Sequence, residues 1–318
     1  MTQHLLCLTI DTDPDGLSGK VTNRQTLEWR GLEHLRHLPE ELQSHPQLGS
    51  TPITWFIRAD GQLENILGSA GFLLEEFELL WEAASQAKHE LAWHPHLYRQ
   101  ARREDSPEII ADPNEAQEEL ERLWDKVRRS FPATSFRNGE GWHTPITYAT
   151  VEKLGFQCDS TAIPGRKGAD AHPMNWERAP NQPYFPGSAD LCEPGPERRL
   201  LEIPMNTWLV QAPYDEAQKV RYMNPAVHPK IFANALRNWE NTRKLHSSEL
   251  SIWVMIFHPD EVLSGQGEDL LYSRSKQSLL QNLAAFQDSL FRADIDVEWV
   301  TIGKAAELWR QSRMKQIA

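Results

Sequence analysis

Short apolar runs alternate along the chain with stretches whose apolar residues recur at helical spacing. Residues 5–10 form a continuous apolar run that ends in Asp11, Thr12 and Asp13, and residues 53–57 form another that ends in Arg58 and Asp60. Residues 90–94 end in His94, with His96 two positions on. Brief apolar runs closed by polar turns predict buried strands. Further strands are expected at 134–137, 156–159, 200–205, 251–257 and 297–302. Helices are expected at 25–43, 72–87, 114–129, 145–154, 228–244, 275–291 and 303–313. Asp112 reads as a cap with Pro113 as the first helical residue, and Gly155 as a helix stop.

Strands each followed by a helix predict a parallel sheet with helical crossovers. No repeat, low-complexity segment or linker divides the 318 residues, so one α/β domain spanning 1–318 is expected. A closed or nearly closed β/α barrel is favoured, with a doubly wound open sheet as the alternative. Residues 160–199 form one long irregular stretch, dense in Pro, Gly and charge, which reads as a lid or insertion.

A barrel makes a statement about chemistry, because functional groups collect at the carboxyl ends of its strands. Asp11, Asp13, Arg58, Asp60, His94, His96, Arg137 and His258 all stand there. Side chains two apart on a strand share a face, so Asp11 pairs with Asp13 and His94 with His96. Pro95 favours extended geometry at His94, and two neutral imidazoles on one face can hold a metal. Residues 11–16 also match the opening of a calcium loop, D-x-D-x-D-G. The twelfth position of that motif is Thr22 in place of glutamate, and a buried strand precedes it in place of a helix.

Residues 9–13 (Thr-Ile-Asp-Thr-Asp), the His94/His96 segment, residues 136–139 (Phe-Arg-Asn-Gly) and residues 257–261 (Phe-His-Pro-Asp-Glu) resemble, in order and spacing, the motifs of the polysaccharide deacetylase family, the NodB-homology or family-four carbohydrate esterases. The resemblance covers about residues 5 to 302. It implies a distorted (β/α)7 or (β/α)8 barrel, a divalent metal, most often zinc, and hydrolysis of an N-acetyl or similar amide on a carbohydrate or acetylated amino sugar. Carried over, Asp11 is the general base, Asp13 and His94 are metal ligands, Arg137 orients the base, and His258 protonates the leaving amine. The family's usual second histidine lies four residues after the first, where this chain has Tyr98. His96, from a compact His-x-His, therefore stands as the third ligand, with a residue of another loop as the alternative. The departure at Tyr98 also leaves room for a metal-free or non-catalytic barrel that binds a glycan or small amide. Arg58, Asp60 and Trp142 are candidate substrate-binding residues, and Trp93, Trp176 and Trp208 also fall near strand ends or in the long stretch.

Composition narrows the function classes. A formal net charge of -12 without a Lys/Arg cluster argues against a nucleic-acid partner. Cys7, Cys158 and Cys192 are widely spaced and form no CxxC, which suits neither a disulfide framework nor a thiolate zinc site. The amino terminus lacks a basic signal region and no apolar run reaches membrane length, so a cytoplasmic protein without a membrane anchor is expected.

Overall fold

The computed structural model describes residues 3–16, 27–99, 107–169, 172–242, 250–264, 270–293 and 295–317. One parallel sheet of eight strands runs through it: Gln3–Asp11 (β1), Ile53–Arg58 (β2), Glu90–His94 (β3), Ser135–Phe136 (β4), Cys158–Asp159 (β5), Leu201–Glu202 (β6), Leu250–Phe257 (β7) and Asp296–Trp299 (β8). The order is β7-β1-β2-β3-β4-β5-β6, with β8 beside β1. This is the expected β/α barrel in its distorted form, a curled sheet open at one seam.

β1 is the organising strand. It pairs with β7 from Gln3↔Leu250 to Ile10↔Phe257. On its other edge the first half pairs with β8 and the second half, from Leu8↔Ile53 to Asp11↔Phe56, with β2. A strand enclosed this way has no solvent face, which is why the runs read as continuously apolar. The period of two nevertheless sorts the residues. Leu5, Cys7, Phe56, Ala92 and Val254 pack inside the curl, whereas Leu6, Leu8, Trp55, Trp93 and Met255 pack outward against the helices. Extending the inner series by twos leads from Cys7 through Thr9 to Asp11, from Ala92 to His94, and from Val254 through Ile256 to His258. The polar groups at the strand ends therefore converge on one mouth.

Among the described residues no ladder closes the sheet between β6 and β7. Side chains and single backbone bonds complete it instead. The Asn206 carboxamide accepts from Val254 N–H at 2.6 Å and donates to Asn181 O at 2.7 Å. Gln182 accepts from Ile252 N–H at 2.9 Å and donates to Ile252 O at 3.1 Å. Ile256 N–H reaches Met223 O at 3.0 Å. Edge amides that would otherwise lie buried without partners are thus satisfied.

Several elements depart from the expected bounds. The helix expected over 25–43 is two, Arg30–His34 and Leu38–Ser44, because Pro39 lacks an N–H and begins a new first turn; residues 25 and 26 lie outside the described residues. The stretch 72–87 breaks at Phe77 into Phe72–Glu76 and Glu78–Gln86. A hairpin, Thr207–Val210 with Lys219–Tyr222, was not marked by the sequence pattern. Residues 160–199 hold only isolated bridges, such as Lys167↔Asn175 and Tyr184↔Glu202, among the described residues. Among the described residues no helix is long and apolar enough to cross a membrane.

Asn206 is 1% exposed, and truncating it strands Val254 N–H and Asn181 O. Asn206→Ala is expected to lower unfolding free energy by about 2–4 kcal/mol, read by urea denaturation; a loss below roughly 0.5 kcal/mol would remove the side-chain closure from the fold's stabilising contacts.

Candidate metal centre and active site

Asp11, Asp13, His94, His96, Arg137 and His258 all line one cavity of about 700 Å³ at the mouth of the curl. One ligand atom each from Asp13, His94 and His96 lies within 4.8 Å of the others. His96 Nε2 is 3.1 Å from Asp13 Oδ1 and 3.2 Å from His94 Nε2. Donors bound at ~2.0–2.1 Å to a tetrahedral ion lie about 3.3 Å apart, so this spacing fits such an ion. The tautomer fits too. His94 Nδ1 stands 2.9 Å from the Arg137 carbonyl, which can only accept; the Nδ1–H donates there and leaves the Nε2 lone pair facing Asp13 and His96.

Two arginines brace the carboxylates. Arg137 is buried, donates to Asp11 Oδ1 at 2.6 Å, and uses its other N–H groups on Thr9 Oγ1, Ser160 O and Ser160 Oγ. Its guanidinium lies 3.9 Å over the Phe56 ring. Arg58 reaches Asp13 at 3.3 Å and Asp60 at 2.7 Å, and also bonds Gln62. Asp60 in turn caps the helix Gly61–Leu67 through Leu63 N–H and accepts from His96 N–H at 3.2 Å.

Burial opposes charge on Asp13, but His96, Arg58 and His94 outweigh it and hold the carboxyl well below its usual range. Burial pushes His94 below the ordinary histidine value against the pull of Asp11 and Asp13, which suits a neutral ligand. On His96 burial also favours the neutral ring, yet Asp13 prevails and raises it to about 9, so the chain without an ion keeps a proton between the two. His258 is likewise carried well above its ordinary value, against burial, by Tyr222, Glu261 and Asp13.

Neither a protein-family model nor a curated protein sequence matches the chain. In three dimensions it superposes on a Parabacteroides distasonis chain provisionally designated a glycoside hydrolase/deacetylase, with a TM-score of 0.62 and 17% identity over 97% of this chain and 71% of that one. A Mycobacterium smegmatis chain provisionally designated a polysaccharide deacetylase gives 0.52 and 14% over 98% and 92%. The fold is that of the polysaccharide deacetylases.

Within this deacetylase fold the substrate-binding expectations need correction. Arg58 and Asp60 are fully buried beneath Asp13 and His96, so they brace the site and do not meet a substrate. Trp142 is 1% exposed and packs in the core, with no ring face open for stacking. Trp93, Trp176 and Trp208 are buried as well. His143 stands apart from the mouth, bound to Asp159 at 2.9 Å and Thr147 at 3.0 Å. The calcium reading loses its third carboxylate: Asp15 turns to accept Arg30 N–H and Gly31 N–H, each at 3.0 Å, and Thr22 lies outside the described residues.

Tyr98 and Glu140 are members of the site that sequence reasoning did not assign. The Tyr98 hydroxyl donates to Glu140 and lies 3.5 Å from His96 Nδ1, which is itself 3.7 Å from Glu140. His96, with the Tyr98 hydroxyl, lowers the Glu140 carboxyl to about 2 against the effect of burial. These two side chains hold the outer nitrogen of His96 while its Nε2 faces Asp13. Glu140 adopts φ 58°, a left-handed backbone rare outside glycine, directly after the Arg137-Asn138-Gly139 motif. Gly139 itself is required by proximity. A Cβ there would overlap the His96 imidazole, 2.7 Å from Nε2.

Gly139→Ala should therefore displace His96 and weaken zinc affinity about tenfold or more, as loss of outer-shell support does; competition with a chromophoric chelator reads it, and wild-type affinity would remove His96 from the ligand set. Because His96 must lose its proton to ligate, apparent zinc affinity should rise with pH by about tenfold per unit below about 9. A flat profile between pH 6.5 and 8 counts against His96 as a ligand.

Proposed function

We propose that the protein is a metal-dependent hydrolase that removes an acetyl or similar acyl group from a nitrogen of a sugar or sugar-containing substrate. The observation that carries the proposal is the convergence of Asp13, His94 and His96 beside the Asp11–Arg137 pair in an open cavity. The likeness of fold to chains designated deacetylases supports it. Asp13, His94 and His96 would hold a divalent ion, with zinc the best match to one carboxylate and two imidazoles, and such an ion would supply Lewis-acid polarisation of the acyl oxygen and acidify water toward a pKa of ~7.

The chain's own residues then divide the proton transfers. Asp11 presents Oδ2 at 3.7 Å from His94 Nε2, beside the donor set, while Arg137 holds Oδ1. It is the group placed to accept the proton of the attacking water. Arg137 prevents the carboxylate from rotating and provides the fixed positive charge behind it. His258 is oriented by Glu261, which accepts from the His258 backbone N–H at 3.0 Å and lies 3.2 Å from Nδ1. Its Nε2 faces the cavity, 3.7 Å from Asp13 Oδ2, and about a quarter of the side chain is open. Held in its protonated form, it donates to the departing nitrogen.

Asp11→Asn should reduce kcat by about 10²–10⁴-fold while zinc stays bound, measured by amine release from an N-acetylated chitooligosaccharide and by metal analysis; full activity would eliminate Asp11 as the base. Zinc should raise the melting temperature of the wild type and leave that of His94→Ala unchanged. Equal stabilisation of both proteins by zinc would sink the metal reading and favour a barrel that binds a glycan without catalysis.

A further inference from the structure

Charges within the cavity are matched unevenly. Asp11 is held by Arg137, and Asp13 by Arg58 and His96. Glu140 has Tyr98, with His96 at 3.7 Å and His172 at 3.8 Å. Arg166 and Lys167 line the same cavity, and among the described residues neither side chain pairs with a carboxylate. The chain as a whole is acidic, at -12, so these two cations are not part of a generally basic surface.

Their backbone is firmly placed. Residues 165–168 pair antiparallel with 174–176: Gly165 N–H donates to Trp176 O at 3.0 Å, Trp176 N–H to Arg166 O at 2.8 Å, and Gly168 N–H to Met174 O at 2.8 Å. Lys167 lies opposite Asn175. Successive side chains on such a ribbon alternate between faces, and opposite residues share one. Met174 and Trp176 are buried and Asn175 is exposed, so Arg166 lies on the inner face and Lys167 on the outer rim. Trp176 Nε1–H fastens the ribbon to Gly141 O at 2.7 Å, next to Glu140. Tyr222 lines the same cavity as Arg166, with its ring 6.3 Å from His258.

A half-buried guanidinium with no acceptor among the described residues, in a cavity also lined by Ile163, Met174 and Met205, offers a planar fork for an oxyanion. We propose that Arg166, with Lys167 at the rim, binds a carboxylate or phosphate group of the substrate, so that the cavity selects an anionic N-acyl sugar over a neutral one. The inference rests on the deacylase reading for its kinetic readout and stands apart from it for binding.

The test uses zinc-loaded wild type, Arg166→Gln and Arg166→Lys with three probes: N-acetylglucosamine, N-acetylglucosamine 1-phosphate and an N-acetylglucosamine–glucuronic acid disaccharide. At least one anionic probe should exceed the neutral one about tenfold or more in kcat/KM, chiefly through KM, and the better of the two identifies the anion. Arg166→Gln should collapse that ratio and Arg166→Lys should keep part of it. Equal constants for the three probes, or a ratio unaltered in Arg166→Gln, overturns the proposal. Calorimetry with glucosamine 1-phosphate and with glucuronic acid, which carry no amide, separates the two readings. Arg166-dependent binding without turnover of any probe upholds the anion site and removes the deacylase reading. Turnover without charge preference removes the anion site alone, and absence of both preference and binding also overturns it.

Discussion

A guanidinium taken out of water must be surrounded by acceptors and negative charge, and two of them lie buried here, Arg137 in the cavity wall and Arg58 beneath it. Arg137 has its N–H groups on Thr9, Asp11 and Ser160; Arg58 has its own on Asp13, Asp60 and Gln62. Removing one partner of such a buried pair costs about 3–5 kcal/mol, because the other charge is left without compensation. The carboxylates are therefore fixed in position by side chains that are themselves buried. A site that packs two carboxylates, two imidazoles and a guanidinium within a few ångströms depends on that burial, since in open solvent the same carboxylates would rotate and exchange partners freely.

The parallel sheet and the ring of polar strand ends are legible in the chain because a strand covered on both faces leaves an unbroken apolar run, and the first polar residues after it mark where cover ends. Asp11, Asp13, His94, His96, Arg137 and His258 all come to one mouth for that reason. What the pattern does not reveal is direction. Arg58 and Asp60 occupy a strand end like the others, yet lie under the site and not in it. Trp142 follows a glycine-bearing turn, where an aromatic looks solvent-facing, and only the packing around it makes it core. The hairpin Thr207–Val210/Lys219–Tyr222 mixes exposed and covered positions and so has no clean period.

The His-x-His spacing acquires a physical account from the same geometry. A histidine two residues after another shares its face but not its distance to an ion four positions along, so something must fix the ring where the chain would leave it free to turn. Tyr98 and Glu140, 42 residues apart, do this together. No local motif announces the pair, because it exists only once Gly139 lets the following turn approach the imidazole and Glu140 accepts a left-handed backbone.

The seam between β6 and β7 has a consequence for how the molecule can change over time. A strand partner imposes a register over several consecutive residues, so an insertion in it shifts every contact downstream. Asn206 and Gln182 clamp β7 at separate points, each through one carboxamide. The segments between and beyond those clamps, including the hairpin and the ribbon that carries Arg166, can lengthen or shorten without moving β7, and His258 directly follows β7. The wall of the cavity is thus free to be rebuilt piece by piece, while the strands that lead to Asp11, His94 and His258 stay where they are.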